Sequence, residues 1–143
     1  MKTISPENSR VYDASIIQLP RIFAQKGNIT AINNEKEIPF AIKRIYYLYD
    51  VPGGESRGGH AHKELMQLIV AASGSFDIVI DDSKIKRTFT LARPDCGLFL
   101  PAGLWRELVN FSSGAICLVL ASLEYSEGDY IRFYDEFSKF KKQ

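Results

Sequence analysis

Residues 54–74 read Gly54-Glu55-Ser56-Arg57-Gly58-Gly59-His60-Ala61-His62-Lys63-Glu64-Leu65-Met66-Gln67-Leu68-Ile69-Val70-Ala71-Ala72-Ser73-Gly74, and they hold both histidines of a 143-residue chain. On an extended backbone, side chains two positions apart leave the same face, so His60 and His62 are expected to point into one cavity. Imidazole is the side chain whose ordinary pKa lies nearest neutrality, and a converging pair suits proton transfer or metal binding. By spacing alone, the pair also fits two surface histidines beside a loop. The residues that follow give it a setting. Residues 65–72 form an apolar run ending at Ser73-Gly74-Ser75, which predicts a strand and a hairpin turn leading away from the pair.

The same pattern repeats on both sides. Upstream, Phe40-Ala41-Ile42-Lys43-Arg44-Ile45-Tyr46-Tyr47-Leu48-Tyr49 is rich in β-branched and aromatic residues and is broken by Val51-Pro52-Gly53-Gly54. One face of it carries Ile42, Arg44, Tyr46 and Leu48. The other carries Lys43, Ile45, Tyr47 and Tyr49, so both faces are expected to be at least partly covered. Earlier still, a short strand is predicted near Ile16 to Leu19, and a second over residues 29–32 after the Lys26-Gly27-Asn28 turn. Downstream, Phe76-Asp77-Ile78-Val79-Ile80 alternates up to the Asp81-Asp82-Ser83-Lys84 turn. Strands are then predicted over residues 85–91, 98–100, 105–111 and 115–122, separated by turns. About nine short strands at this spacing predict an all-β antiparallel sandwich or barrel. Only the tail changes period: Ile131, Phe133, Tyr134, Phe137 and Phe140 predict a C-terminal helix over residues 126–142, started by Ser126 or Asp129.

Composition limits the rest. A chain of 143 residues suits one domain, residues 1–143, with a core that needs no staples. Net charge of +1 supplies no field for nucleic acid or an anionic membrane surface. The polar start Met1-Lys2-Thr3-Ile4 has no signal-peptide core, and the run at residues 115–121 is too short to span a bilayer. Cys96 and Cys117 match no redox or zinc spacing. They are expected to be buried thiols in a cytoplasmic protein.

Two spacings carry a resemblance to the cupin superfamily. Gly54, His60, His62, Gln67 and Gly74 fall where the first cupin signature places glycine, His-x-His, an acidic ligand and glycine, with glutamine at the acidic position. Pro101, Gly103, Arg106 and Asn110 resemble the second signature, with arginine at its histidine position. This likeness implies a jelly-roll barrel. Its departures bear on metal binding. A neutral amide is a poor cation ligand, and a guanidinium has no lone pair and repels a divalent ion. The expectation is a site with no metal and no cofactor.

A narrower resemblance runs from about Ile22 to Phe140. Residues 38–47, Arg57-Gly58-Gly59-His60-Ala61-His62-Lys63, Leu120-Ala121-Ser122 and Asp129-Tyr130-Ile131-Arg132-Phe133-Tyr134-Asp135 are similar to the bacterial sugar-nucleotide 3,4-ketoisomerases. The resemblance implies conversion of dTDP-4-keto-6-deoxyglucose to a 3-keto sugar for deoxyamino-sugar and surface-polysaccharide synthesis. It also implies no cofactor, and a homodimer that swaps N-terminal strands, here within residues 1–35. On this likeness His60 and His62 are the catalytic histidines, with Tyr46 beside them, while Arg44, Arg57, Gln67, Arg106 and Lys26 contact the substrate. Two positions depart from the family. Arg106 stands where a histidine is usual, and Ala24-Gln25-Lys26-Gly27 stands where Asp-x-Arg-Gly is common.

Moving a ketone from C4 to C3 passes through an enediol. It needs a base, a second acid/base and donors to the enolate oxygen. His60 and His62 supply the first two, Tyr46 and Arg106 the donors, and a fixed cation such as Arg106 is expected to lower the histidine pKa values. Arg44, Arg57 and Lys26 suit a diphosphate. Two other readings remain. A 3,5-epimerase on the same substrate would want a His–Asp dyad, and no Asp flanks the pair in sequence. A non-catalytic sugar-nucleotide-binding cupin is the third.

Overall fold

The computed structural model describes residues 4–142; the polar start at residues 1–3 lies outside them. Ten strands and one α-helix follow in chain order: β1 (Ser15–Gln18), β2 (Arg44–Leu48), β3 (Arg57–His62), β4 (Gln67–Ser73), β5 (Phe76–Asp81), β6 (Lys86–Leu91), β7 (Cys96–Leu100), β8 (Trp105–Val109), β9 (Ile116–Ala121), β10 (Tyr130–Ile131) and α1 (Tyr134–Lys141). They form two five-stranded sheets, β1-β7-β4-β9-β2 and β10-β3-β8-β5-β6, with antiparallel pairing throughout. This is the predicted all-β sandwich with a short C-terminal helix.

Alternation along each strand decides what faces inward. Ile69 and Ala71 of β4, Ile78 and Ile80 of β5, Leu98 and Leu100 of β7, Leu108 of β8 and Val119 of β9 fill the space between the sheets, all essentially excluded from solvent. Toward one end the inward positions turn polar: Tyr46 on β2, His60 and His62 on β3, Gln67 on β4 and Arg106 on β8. That polar layer sits on an apolar floor.

Two covers lie outside the sheets. Leu68, Val70 and Leu120 on the outer face of the first sheet are buried under Leu19, Ile38 and Phe40. The strand expected over residues 29–32 is therefore not formed. Apart from a single bridge between Ile22 and Ile29, residues 20–43 form no strand; Ile38 and Phe40, with the partly buried Ile32 and Ile42, supply the apolar cover, while Ile22, Phe23 and Ile29 are exposed. The second cover is α1, whose Phe137 is buried against Trp105, Ala61 and Ile131 on the outer face of the second sheet. The helix starts at Tyr134, not near residue 126. Ser126 and Asp129 instead bracket a 3-10 turn (Glu127–Asp129), and Tyr130–Ile131 pairs with β3. Of the two cysteines, Cys117 is buried and Cys96 only partly so.

The N-terminal turn is fastened to the polar end of the barrel. Lys141 of α1 donates to the carbonyls of Pro6, Ser9 and Gly103 at 2.7–2.8 Å. Gly103 has φ +87°, and a Cβ there would stand 2.0 Å from the Pro6 carbonyl oxygen, so only glycine lets the turn approach. The Gly103 amide in turn donates to the His62 carbonyl at 2.8 Å.

One face departs from expectation. The inward side of β2 is half-buried, but Ile45, Tyr47 and Tyr49 on its outer side are 58–59% exposed. β2 is an edge strand that pairs only with β9. An apolar, unpaired edge of this kind invites another chain.

Candidate active site

β3 places the histidines. Gly58, with φ +77°, sits at an irregularity in the β3–β8 pairing between Arg57 and His60. Such a bulge re-aims the strand beyond it, and glycine takes this conformation without strain. Past it, His60 lies directly opposite Arg106, and His62 opposite Tyr130 of β10. Gln67 on β4 faces Ala121, a small neighbour that leaves room for the amide.

The two imidazoles meet. Their Nε2 atoms are 3.1 Å apart and the rings cross edge to face, with both residues buried. Arg106 Nη2 lies 3.2 Å from His60 Nε2 and donates to the Tyr46 hydroxyl oxygen at 3.1 Å. Gln67 Nε2 reaches the same hydroxyl at 3.5 Å and lies 3.4 Å from His62 Nε2. Because Tyr46 accepts from Arg106 and Gln67, its own O–H proton is left to point at whatever occupies the cavity. The structure thus brings together His60, His62, Tyr46, Gln67 and Arg106. Arg44 stands at the edge, its guanidinium stacked over the rings of Tyr46 and Tyr125 at 4.6 and 5.3 Å. Arg57 and Lys26 are exposed, and neither makes a side-chain hydrogen bond to the cluster within the described chain.

Several groups are built to hold something else. Arg106 is buried, yet its Nε and Nη1 have no partner, and it makes no ion pair among the described residues. Gln67 Oε1 is a buried acceptor without a donor, and Arg44 Nη1 a buried donor without an acceptor. Unpartnered buried polar atoms are costly and mark positions that a ligand satisfies. The pattern asks for an oxygen-rich, anionic molecule. A metal does not fit here. The guanidinium of Arg106 occupies the position beside His60 where a further donor would be needed, and it carries the wrong charge.

Electrostatics keep both rings neutral at rest. Burial, followed by the cation of Arg106, pushes His60 down to about 2 and His62 down to about 3. The sequence-based expectation named Arg106 as the cause; burial is the larger one.

Sequence reasoning missed the third wall of the site. β10, which follows the 3-10 turn directly, brings the ring of Tyr130 within 4.9 Å of His60 and 4.5 Å of His62, centre to centre. Arg132 lies over Tyr130 at 4.2 Å and pairs in bidentate fashion with Glu127 at 2.6 and 2.8 Å. Asp129 Oδ2 lies 3.0 Å from His62 Nδ1. A His–Asp dyad, the feature a 3,5-epimerase would also want, therefore exists through a residue 67 positions away, although no Asp flanks the pair in sequence. The alternation of Ile131 and Phe133 with Tyr130 and Arg132 was the available signal for a strand here.

A two-sheet antiparallel barrel with a buried His-x-His at one polar end is a cupin-type barrel. Comparison narrows the class. A family model described as "FdtA: WxcM-like, C-terminal" matches residues 12–142. The TDP-4-oxo-6-deoxy-alpha-D-glucose-3,4-oxoisomerase of Aneurinibacillus thermoaerophilus is 44% identical over 125 residues, 87% of this chain and 90% of that protein. Among solved structures, a 3,4-ketoisomerase from Helicobacter canadensis superposes with a TM-score of 0.89 at 46% identity, covering 92% of this chain and 98% of that one. A histidine-to-asparagine mutant of the 3,4-ketoisomerase QdtA from Thermoanaerobacterium thermosaccharolyticum, in complex with TDP-4-keto-6-deoxyglucose, gives 0.90 at 35% identity, covering 93% and 96%. The chain belongs to the FdtA-type, WxcM-like family.

Proposed function

We propose that the protein is a sugar-nucleotide 3,4-ketoisomerase that converts TDP-4-keto-6-deoxyglucose to the 3-keto sugar, and that His60 and His62 move the protons. The observation that carries this reading is the buried Nε2–Nε2 contact of the two histidines beside a buried guanidinium with no anionic partner. The kinship with the 3,4-oxoisomerase and the ketoisomerases supports the substrate and the reaction.

The chemistry balances without a redox partner. A base removes the C3 proton, the electrons of that bond form C3=C4, and O4 becomes an enolate. O4 takes up a proton and O3 gives one up; C4 is protonated, the C3 carbonyl forms, and the ketone has moved one carbon. Arg106 Nε and Nη1 and the Tyr46 O–H stabilise the enolate oxygen as charge develops there, and Gln67 Oε1 accepts from a sugar hydroxyl. An imidazole held at about 2 or 3 is a weak base in the empty pocket. The diphosphate and the growing enolate bring negative charge against Arg106 and Arg44, which offsets the cations and raises the basicity of the rings as the substrate arrives. Arg44, Arg57 and Lys26 serve the diphosphate end.

The apolar outer side of β2, with Ile45, Tyr47 and Tyr49, is the contact of a homodimer, and exchange of strands within residues 1–35 brings Lys26 to a substrate bound by the partner. Among the described residues no helix is long and apolar enough to cross a membrane. We place the enzyme in the cytoplasm, in the synthesis of deoxyamino sugars for surface polysaccharide.

The test is the product. Incubation with TDP-4-keto-6-deoxyglucose is expected to give a 3-keto-6-deoxy hexose nucleotide by NMR. A product inverted at C5 with the ketone still at C4 would instead make this an epimerase. Binding with no new sugar would make it a non-catalytic cupin.

A further inference from the structure

His62 has two ring nitrogens, and only one faces the reaction. Nε2 points at His60; Nδ1 lies 3.0 Å from Asp129 Oδ2. Asp129 is held rigidly. Its Oδ1 accepts from the Glu64 amide at 2.8 Å, its Oδ2 from the Leu65 amide at 3.3 Å, and its own carbonyl from the Lys63 amide at 2.9 Å. Two backbone donors and an imidazole N–H on two oxygens suit a carboxylate, and they leave it little freedom to turn. From this geometry we infer that Asp129 is a positioning residue: it fixes His62 with its proton on Nδ1, making His62 the member of the pair that stores the proton in transit. The inference rests on the ketoisomerase reading.

Counting protons supports it. Arg106 can only donate, so its approach to His60 Nε2 is a hydrogen bond only when that nitrogen is bare. The Nε2–Nε2 contact then needs a proton on His62 Nε2, and with Nδ1–H committed to Asp129 this makes His62 an imidazolium against a carboxylate. The Arg106–His60, His60–His62 and His62–Asp129 contacts are then satisfied with one proton more than two neutral rings carry, whereas the 3.4 Å approach of the Gln67 amide to His62 Nε2 fits the neutral ring. That extra proton is the one taken from C3; on the ring nitrogen it exchanges with solvent before a proton passes from His62 to C4. Burial holds His62 low and also raises Asp129, whereas a resting ion pair would push each the other way. At rest, therefore, the ring is neutral, and the carboxylate is in place for the loaded state. The groups facing His62 are Asp129 before β10, Tyr130 on β10, Arg132 beyond it, His60 on β3, Gln67 on β4, Arg106 on β8 and Arg44 on β2.

The test is Asp129→Asn, in which the amide oxygen keeps the Glu64 bond and the NH2 group is presented to His62 Nδ1. The expected result is a kcat lower by about 10²- to 10³-fold, with KM within about threefold. In ¹⁵N spectra, His62 should move from the Nδ1–H to the Nε2–H tautomer. A merely structural role would lower the melting temperature and leave the tautomer alone. An unchanged tautomer in the variant overturns the inference, as does a kcat within threefold of wild type after the tautomer has switched. Should the variant not fold, the wild-type spectrum decides by itself: an Nε2–H tautomer at rest contradicts the assignment. The nitrogen spectra need no substrate. If wild type fails to turn over TDP-4-keto-6-deoxyglucose, the ketoisomerase reading falls while the role of Asp129 is still decided.

Discussion

His60→Asn and His62→Asn are each expected to lower kcat by about 10²- to 10⁴-fold, the range that a positioned acid or base contributes. Both rings are buried, with their Nε2 atoms 3.1 Å apart, and they are the groups of the cluster that can take and return a proton once the negative charge of the substrate offsets Arg106. Gln67 is an amide, Arg106 is permanently charged, and Tyr46 has its oxygen engaged by two donors. Asparagine is close in shape to the near half of histidine and keeps one donor and one acceptor, so the barrel should survive the change. The two variants are expected to differ in one respect. His60→Asn leaves the His62–Asp129 contact in place, whereas His62→Asn strands a carboxylate that retains only its backbone donors. The second variant should therefore also lose some stability. Steady-state kinetics with a melting curve for each protein checks the claim, and a variant of wild-type rate and wild-type melting temperature would remove that histidine from the mechanism.

Acidification is expected to unfold the protein through the same two side chains. An unfolded histidine takes up its proton near pH 6.5. In the folded chain, burial and Arg106 hold His60 at about 2 and His62 at about 3. Between these values the unfolded state binds more protons than the folded one. The stability carried by the neutral rings is thus fully present above pH 6.5 and is lost as pH falls toward 3. At pH 4.5 the pair accounts for a loss of about 3–5 kcal/mol, taking 1.36 kcal/mol per pH unit for each ring and discounting for relaxation. That is a large share of the roughly 5–15 kcal/mol by which a domain is stable. Urea titrations at pH 7 and pH 4.5 measure it, with the double variant His60→Gln/His62→Gln as reference. The wild type should lose several kcal/mol more than the variant, and parallel losses would show that the rings are not the acid-sensitive element.

The fold and the near half of the site were legible in the sequence for one reason: strands report their inward face by alternation. Gly54 to Gly74 and Pro101 to Asn110 each pass through the polar layer within one or two strands. The likeness of their spacings to the two cupin signatures brought His60, His62, Gln67 and Arg106 together, and the ketoisomerase resemblance added Tyr46, which shares a strand face with Arg44 and Leu48. Asp129 was not legible. It reaches His62 across 67 residues, and Phe133, Tyr134, Phe137 and Phe140 beyond it set up a helical period that was extended backwards over the 3-10 turn and β10. Residues 29–32 misled in the opposite sense: their β-branched composition reads as a strand, yet Ile29 is exposed and only Ile32 packs, partly buried, on the outside of the sheet. Lys26 and Arg57 were drawn to the site by family likeness and charge, and in the single chain both stand in solvent. Nothing in a one-dimensional pattern says which copy of a chain a loop will serve.

The most direct test follows the hydrogens of the sugar in D₂O. Wild-type protein with TDP-4-keto-6-deoxyglucose is expected to remove the C3 hydrogen as the 3-keto product forms and to place solvent deuterium at C4, while the C5 hydrogen stays in place. Loss of the C5 hydrogen, or a C3 hydrogen that outlasts many equivalents of enzyme turnover time, would contradict proton transfer by the histidine pair at C3 and C4.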